Sequence, residues 1–144
     1  MTSKEESKQT TTLSNIRGIT PMSLSRPTSG TNLPYNGSFS GVNSEIFSNY
    51  YFYTNGSTKL YVDWNVTADY TMQNPSFHIN LYQAGTNKLV LSTQKFNTST
   101  HTGWWTTTFS NLNTAYNYYI SFVNDGPGSA AGGNPISGNF TVRK

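Results

Sequence analysis

The sequence predicts an all-β protein: a two-sheet antiparallel β-sandwich of about eight strands, jelly-roll or Ig-like, with a closed barrel as the alternative. Three observations carry this reading. Short segments alternate apolar and polar side chains, as Leu60, Val62, Trp64 and Val66 do against Tyr61, Asp63 and Asn65; period two is the signature of a strand with one buried face. Turn residues separate these segments at short intervals, the spacing expected of sandwiches and barrels. The chain of 144 residues is rich in strand formers, with 21 Thr, 10 Tyr, 8 Phe and 3 Trp, whereas helical bundles favour Ala, Glu, Lys and Leu.

Residues 1–33 hold few large apolar side chains: Leu13, Ile16, Ile19, Met22, Leu24 and Leu33. These follow neither a helical nor an alternating period, and Pro21, Pro27 and Pro34 punctuate them. A flexible N-terminal lead or linker is expected here, with a short strand around residues 16–19. The β-sandwich domain is expected over 34–144.

From Tyr35 the strands follow one another. Residues 37–42 form a short strand. Residues 46–53 form one dense in aromatics, ending at Asn55-Gly56, a strong hairpin signal. Residues 59–68 alternate cleanly, and 76–83 set Phe77, Ile79 and Leu81 against His78, Asn80 and Tyr82. Gly85-Thr86-Asn87 turns the chain into 88–95. Residues 103–110 carry Trp104-Trp105 and a Thr run, and 115–124 put Tyr116, Tyr118, Ile120 and Phe122 on one face. A loop rich in Gly, Ala and Pro spans 125–135, and 136–143 points Ile136, Phe140 and Val142 inward. The expected core is Phe52, Leu60, Val62, Trp64, Phe77, Ile79, Leu81, Leu89, Leu91, Ile120, Phe122 and Phe140. At ~1.5–3 kcal/mol for each large side chain buried, this set can hold a domain of this size.

Charge narrows the function. Charged residues make up 10% of the chain, nine basic and six acidic, for a net charge of +3. The basic residues are scattered, so the stripe typical of nucleic-acid binders is missing. No apolar run approaches the ~20 residues of a membrane-spanning helix. The chain has no cysteine, which excludes disulfides, thiolate metal sites and a cysteine nucleophile. Low charge with abundant Thr, 18 Ser and 17 Asn reads as a bacterial protein that is secreted or at the cell surface. Residues 1–12 are polar and lack the apolar stretch of a signal peptide, so the chain is expected to start after a removed one.

The strand order also carries a resemblance. Tyr51-x-Tyr53 precedes a Gly turn, then come Leu60-Tyr61-Val62, Ile79-Asn80-Leu81-Tyr82, the Gly85 turn and Leu89-Val90-Leu91-Ser92. Ala115-Tyr116-Asn117-Tyr118-Tyr119-Ile120 and Gly138-Asn139-Phe140-Thr141-Val142 complete it. Over roughly residues 50–142 this pattern resembles the bacterial pre-peptidase C-terminal domain, a small secreted β-sandwich often appended to hydrolases. The resemblance implies a secreted sandwich and, in some members, calcium. Members typically carry acidic residues before the Leu-Tyr strand, where this chain reads Phe77-His78-Ile79-Asn80.

No catalytic constellation stands out. Asp63 faces outward and Asp69 lies six residues on, ~20 Å along an extended strand, farther apart than paired-carboxylate hydrolysis uses. No Gly-x-Ser-x-Gly motif occurs. His78 on a strand and His101 in a loop have no local metal-ligand spacing. Asn124-Asp125-Gly126-Pro127-Gly128 offers oxygen ligands with a single carboxylate, where tight calcium loops use several. No cofactor is therefore expected, with calcium as the alternative, and no enzyme.

The outward aromatics remain. Tyr51, Tyr61, Tyr82, Trp105 and Tyr119, with His78 as a polar neighbour, are the candidate binding residues, and Asn65, Asn80 and Asn117 are further hydrogen-bond partners. A row of flat rings on a polar sheet suits stacking on sugars, and equally suits cross-strand pairing that stabilises a wet face. The expected function is a non-enzymatic secreted or cell-surface binding module, its partner a glycan, cell-wall material or a protein surface. The alternative is a structural or self-assembling surface or virion protein, for which Thr-rich edge strands are suited.

Overall fold

In a computed structural model, residues 2–9, 20–68, 75–126 and 134–144 are described. The segment 16–19, Asp69 and the Gly-rich stretch 128–133 lie outside the described residues. The described elements are all strands: β1 (Thr2–Gln9), β2 (Thr20–Pro21), β3 (Gly30–Thr31), β4 (Tyr35–Val42), β5 (Glu45–Phe47), β6 (Tyr51–Phe52) and β7 (Leu60–Ala68). They continue with β8 (Ser76–Gln83), β9 (Lys88–Ser92), β10 (Phe96–Asn97), β11 (Trp104–Ser110), β12 (Tyr118–Asn124) and β13 (Ile136–Arg143).

Two sheets pack face to face and neither closes into a barrel. The first runs β1-β11-β7-β13-β4-β2, and the second runs β10-β8-β12-β6-β3, with β9 also on β8 and β5 also on β12. Because β9 and β10 share one flank of β8, and β5 and β6 share one flank of β12, each pair acts as one interrupted strand. The central order is then β11-β7-β13-β4 against β9/β10-β8-β12-β5/β6. This is the eight-strand jelly roll rather than an Ig-like order, because the chain changes sheet at nearly every connection. Among these eight central strands, only β8 to β9 returns within a sheet, antiparallel and adjacent.

That topology explains what became of the hairpin expected at Asn55-Gly56. Both residues take positive φ, 50° and 84°, as a tight turn requires. Yet β6 belongs to the second sheet and β7 to the first, so the turn links sheets instead of pairing neighbours.

The core lies where the alternation points. Phe52, Leu60, Val62, Trp64, Phe77, Ile79, Leu81, Ile120, Phe122 and Phe140 are fully buried. Trp64 is its hub: it meets Phe77 edge-on at 5.2 Å, and its indole nitrogen donates to Thr107 Oγ1 at 2.9 Å. Phe39 and Phe122 join the sheets at 4.7 Å. Phe140 fits because Gly37 faces its ring, where a Cβ would collide.

Leu89 departs from the expected core and is 48% exposed. Leu91 opposes Leu81 and is half-buried against the core. A register shift between Leu81 and Tyr82 sets Leu89 opposite Tyr82. Such a bulge inserts one residue and reverses the facing of what lies beyond it, so Leu89 turns to the outer face.

Parts of residues 1–33 are built into both sheets. β1 pairs with β11, and β2 runs parallel to β4. Met22 donates its amide to Ser38 O and enters the core. Ser23 then exchanges both backbone hydrogen bonds with Phe47, 2.8 Å each. After an exposed arc at residues 24–26, β3 runs parallel to β6. This strap crosses from the edge strand of one sheet to that of the other.

Candidate functional site

The outer face of the second sheet carries a small aromatic cluster of its own. Phe47 from β5, Tyr82 from β8 and Tyr119 from β12 are buried there, with Tyr51 packed against them. Tyr82 and Tyr119 face each other in register and stack at 5.1 Å with planes 16° apart. The strap covers them: the Arg26 guanidinium lies 4.7 Å from the ring centres of both Phe47 and Tyr82. Its Nη1 donates to the Tyr119 hydroxyl at 2.6 Å, which donates in turn to Asn87 Oδ1 at 2.9 Å.

Beside the aromatics lies a half-buried carboxylate acceptor. Glu45 Oε2 accepts from Tyr82 OH at 2.5 Å, from Ser121 Oγ at 2.6 Å and from Asn80 Nδ2 at 3.4 Å. Burial, then the bond to Glu45, pushes the Tyr82 phenol above its usual pKa. Burial also raises Tyr119, opposed by Arg26. The hydrogen bond to Tyr119 raises Arg26 in turn, so it stays a cation.

At one end of this face opens a cleft of ≈ 530 Å³, lined in part by Thr28, Tyr51, Gly85, Asn87, Tyr116 and Asn117. Four pieces of chain build it, and each is held locally. Asn87 takes φ 59° in the turn between β8 and β9, a conformation that Asn tolerates. Asn113 Oδ1 accepts the Ala115 amide, and the Tyr118 hydroxyl bonds both the amide and the carbonyl of Asn113. Asn117 O accepts the Ala84 amide at 2.9 Å, tying this loop to the β8–β9 turn. Tyr51 meets Tyr53 edge-on at 5.8 Å. Gly30 permits this close fit, since a Cβ there would come 2.5 Å from the Tyr51 ring. A second cleft of ≈ 650 Å³ includes Ser38, Phe39, Asn65, Thr67 and Asn139, and its one aromatic, Phe39, is buried.

The six candidate binding residues divide. Tyr51, Tyr82 and Tyr119 meet on the second sheet, but Tyr82 is 6% and Tyr119 0% exposed. They form a structural stack beneath Arg26, not an open platform. Tyr61 lies on the first sheet, because β7 follows a change of sheet. There it sits 4.7 Å from the Arg143 guanidinium, which also grips Asp63 with two hydrogen bonds, at 2.8 and 3.2 Å. Trp105 is directed inward: it stacks over Trp64 at 6.3 Å and packs against the core. The register explains this, since Trp105 opposes Trp64 across β11 and β7 and must share its face. His78 is half-buried, its Nδ1 2.5 Å from Asp125 Oδ2.

The acids also divide between faces. Asp63 belongs to the outer face of the first sheet, with Arg143 and Thr106, whereas Asp125 is bound to His78 of the second. His101 sits against Trp105 at 4.4 Å. Among the described residues, no group of three His, Cys, Asp or Glu side chains could hold a metal ion.

Arg26, Tyr116 and Asn87 were not among the expected site residues, whereas Asn117 was an expected hydrogen-bond partner and does line the cleft. Tyr116 is expected on the face of Ile120 and Phe122, but β12 begins at Tyr118 and Tyr116 is 42% exposed. The Asn113-x-Ala115 turn before it was the available signal. Arg26 had none, because its partners are 21 to 93 residues away in sequence. No family model, curated protein or solved structure matches the chain.

Proposed function

We propose that this protein is a non-enzymatic, extracytoplasmic glycan-binding module, and that it binds sugar at the end cleft of the second sheet. The observation that carries the reading is the pairing of ring and amide in one cavity. Tyr116 is exposed and Tyr51 half-buried, and both line it together with Asn87 and Asn117. Aromatic faces stack on the apolar side of a sugar ring while amides, each donor and acceptor, bond its hydroxyls. The low charge and high Ser, Thr and Asn content support the extracytoplasmic assignment.

A glycan array followed by calorimetry on the best hit tests it. Tyr116→Ala and Tyr51→Ala should each weaken binding at least tenfold, and Tyr61→Ala, on the other sheet, should not. Full affinity in Tyr116→Ala removes the cleft from consideration.

A second reading, a self-assembling surface or virion component, draws on the jelly-roll order, which capsid and lectin domains both use. That is an analogy of fold alone. The outer edge of β9 with its exposed Leu89 gives it a physical basis. Sedimentation as a monomer across a hundredfold range of concentration would dismiss it.

A further inference from the structure

We infer that Arg26 makes this cleft a receptor for carboxylate-bearing sugars, such as uronates or sialates, rather than for neutral glycans. The inference rests on the glycan-binding reading of the same cleft and names its ligand class.

Arg26 is a preorganised cation with spare donors. A guanidinium has five N–H groups in a planar fork, and one hydrogen bond, from Nη1 to Tyr119, is formed. The rings of Phe47 and Tyr82 hold it in place, each 4.7 Å away, while the residue as a whole is exposed. No described carboxylate forms an ion pair with it. Glu45 is close enough to act on it through space, but Glu45 Oε2 already takes bonds from Tyr82, Ser121 and Asn80.

Arg26 adjoins the cleft without being part of its lining. The two residues that follow, Pro27 and Thr28, are part of the lining. Two hydrogen bonds, through the Tyr119 hydroxyl, connect the guanidinium to Asn87, also in the lining. A sugar ring resting on Tyr116 or Tyr51 can therefore turn a carboxylate toward the open edge of the fork, where two parallel N–H···O bonds fit carboxylate geometry. The negative field of Glu45 opposes long-range attraction of an anion. The preference must then come from direct contact, which also requires that the guanidinium be held in place.

The test uses matched pairs in calorimetry: trigalacturonate against its methyl ester, and sialyllactose against lactose. The intact protein should bind at least one acid at least about tenfold more tightly than its neutral partner, the scale of one hydrogen bond to a charged group. Arg26→Gln should reduce the acid to the affinity of the neutral sugar. Arg26→Lys should recover only part, because an ammonium lacks the fork. A check independent of any variant is salt: in the intact protein it should weaken the acid and leave the ester unchanged. Equal affinity within both pairs overturns the inference and leaves the glycan reading standing. So does a preference that survives Arg26→Gln in a protein that still melts cooperatively. Stronger binding of sulfated than of carboxylated sugars rejects the carboxylate assignment. Absence of binding to every glycan on the array removes both readings.

Discussion

Tyr119→Phe tests whether one hydroxyl clamps the strap to the sandwich. The ring is fully buried, and its oxygen joins two bonds, one from Arg26 and one to Asn87. Phenylalanine keeps the stack on Tyr82 and the edge contact with Phe47, 6.2 Å between ring centres. In full, the bond to the cation is worth ~1.5–3 kcal/mol and the neutral one ~0.5–1.5. Arg26 and Asn87 are both exposed, so water replaces part of each, and the expected net loss is about 1–2 kcal/mol. For a domain of this length that lowers the melting temperature by roughly 3–8 °C. Tyr119→Ala also loses the ring and should fall by ~3–5 kcal/mol. The second readout is local. Leu24 protrudes from the strap at 76% exposure, and chymotryptic cleavage after it should quicken by about fivefold or more in Tyr119→Phe, the factor that matches 1 kcal/mol. If cleavage after Leu24 and urea stability both stay at the parent values, the hydroxyl is not a clamp and the argument for a fixed Arg26 fails with it.

Other outcomes follow from the same contacts. Burial raises the phenol pKa of Tyr82, Tyr118 and Tyr119. The folded state therefore holds these protons more tightly than the unfolded one, and their contribution to stability is complete below the ordinary tyrosine pKa of ~10 and lost as pH rises past it. Phenolate absorbance should show these tyrosines titrating after the exposed ones, together with falling urea stability above about pH 10; a single common transition would contradict this. Leu89→Asn should change stability by no more than about 0.5 kcal/mol, whereas Leu81→Ala should remove ~2–5 kcal/mol. Comparable losses at the two positions in urea titrations would contradict the bulge. Gly37→Ala should destabilise by ~1–3 kcal/mol by forcing a methyl group into the Phe140 ring, measured by thermal melting, and a neutral result would mean that β4 and β13 separate at little cost.

Most strands were legible because alternation is local. Leu60, Val62 and Trp64 declare their common face without reference to any other part of the chain, and all three are fully buried. The turn chemistry was equally plain at Gly85-Thr86-Asn87, which does join two paired strands. Legibility ended where pairing partners mattered. Asn55-Gly56 looks the same whether it joins neighbours or crosses between sheets. Tyr61 and Tyr82 both alternate outward from the core, yet they occupy different sheets. Leu89 followed the pattern of its own strand and was turned outward by a bulge defined only against β8.

The candidate site shows the same division. Sequence by itself determined the fold class, most of the core and the excess of outward-facing tyrosines, since these depend on side-chain period, turn residues and the numbers of apolar and charged groups. Tertiary structure alone decided which tyrosines are open. Tyr82 and Tyr119 alternate away from the core, but the chain returns over them, and Arg26 closes the stack from a segment with no pattern of its own. Tyr116, expected on the face of Ile120 and Phe122, lines the wall of the cleft instead because the Asn113 turn delays the start of β12. The physical reason is range. A strand's facing is set by its own neighbours, whereas exposure of a face depends on what else the chain lays across it.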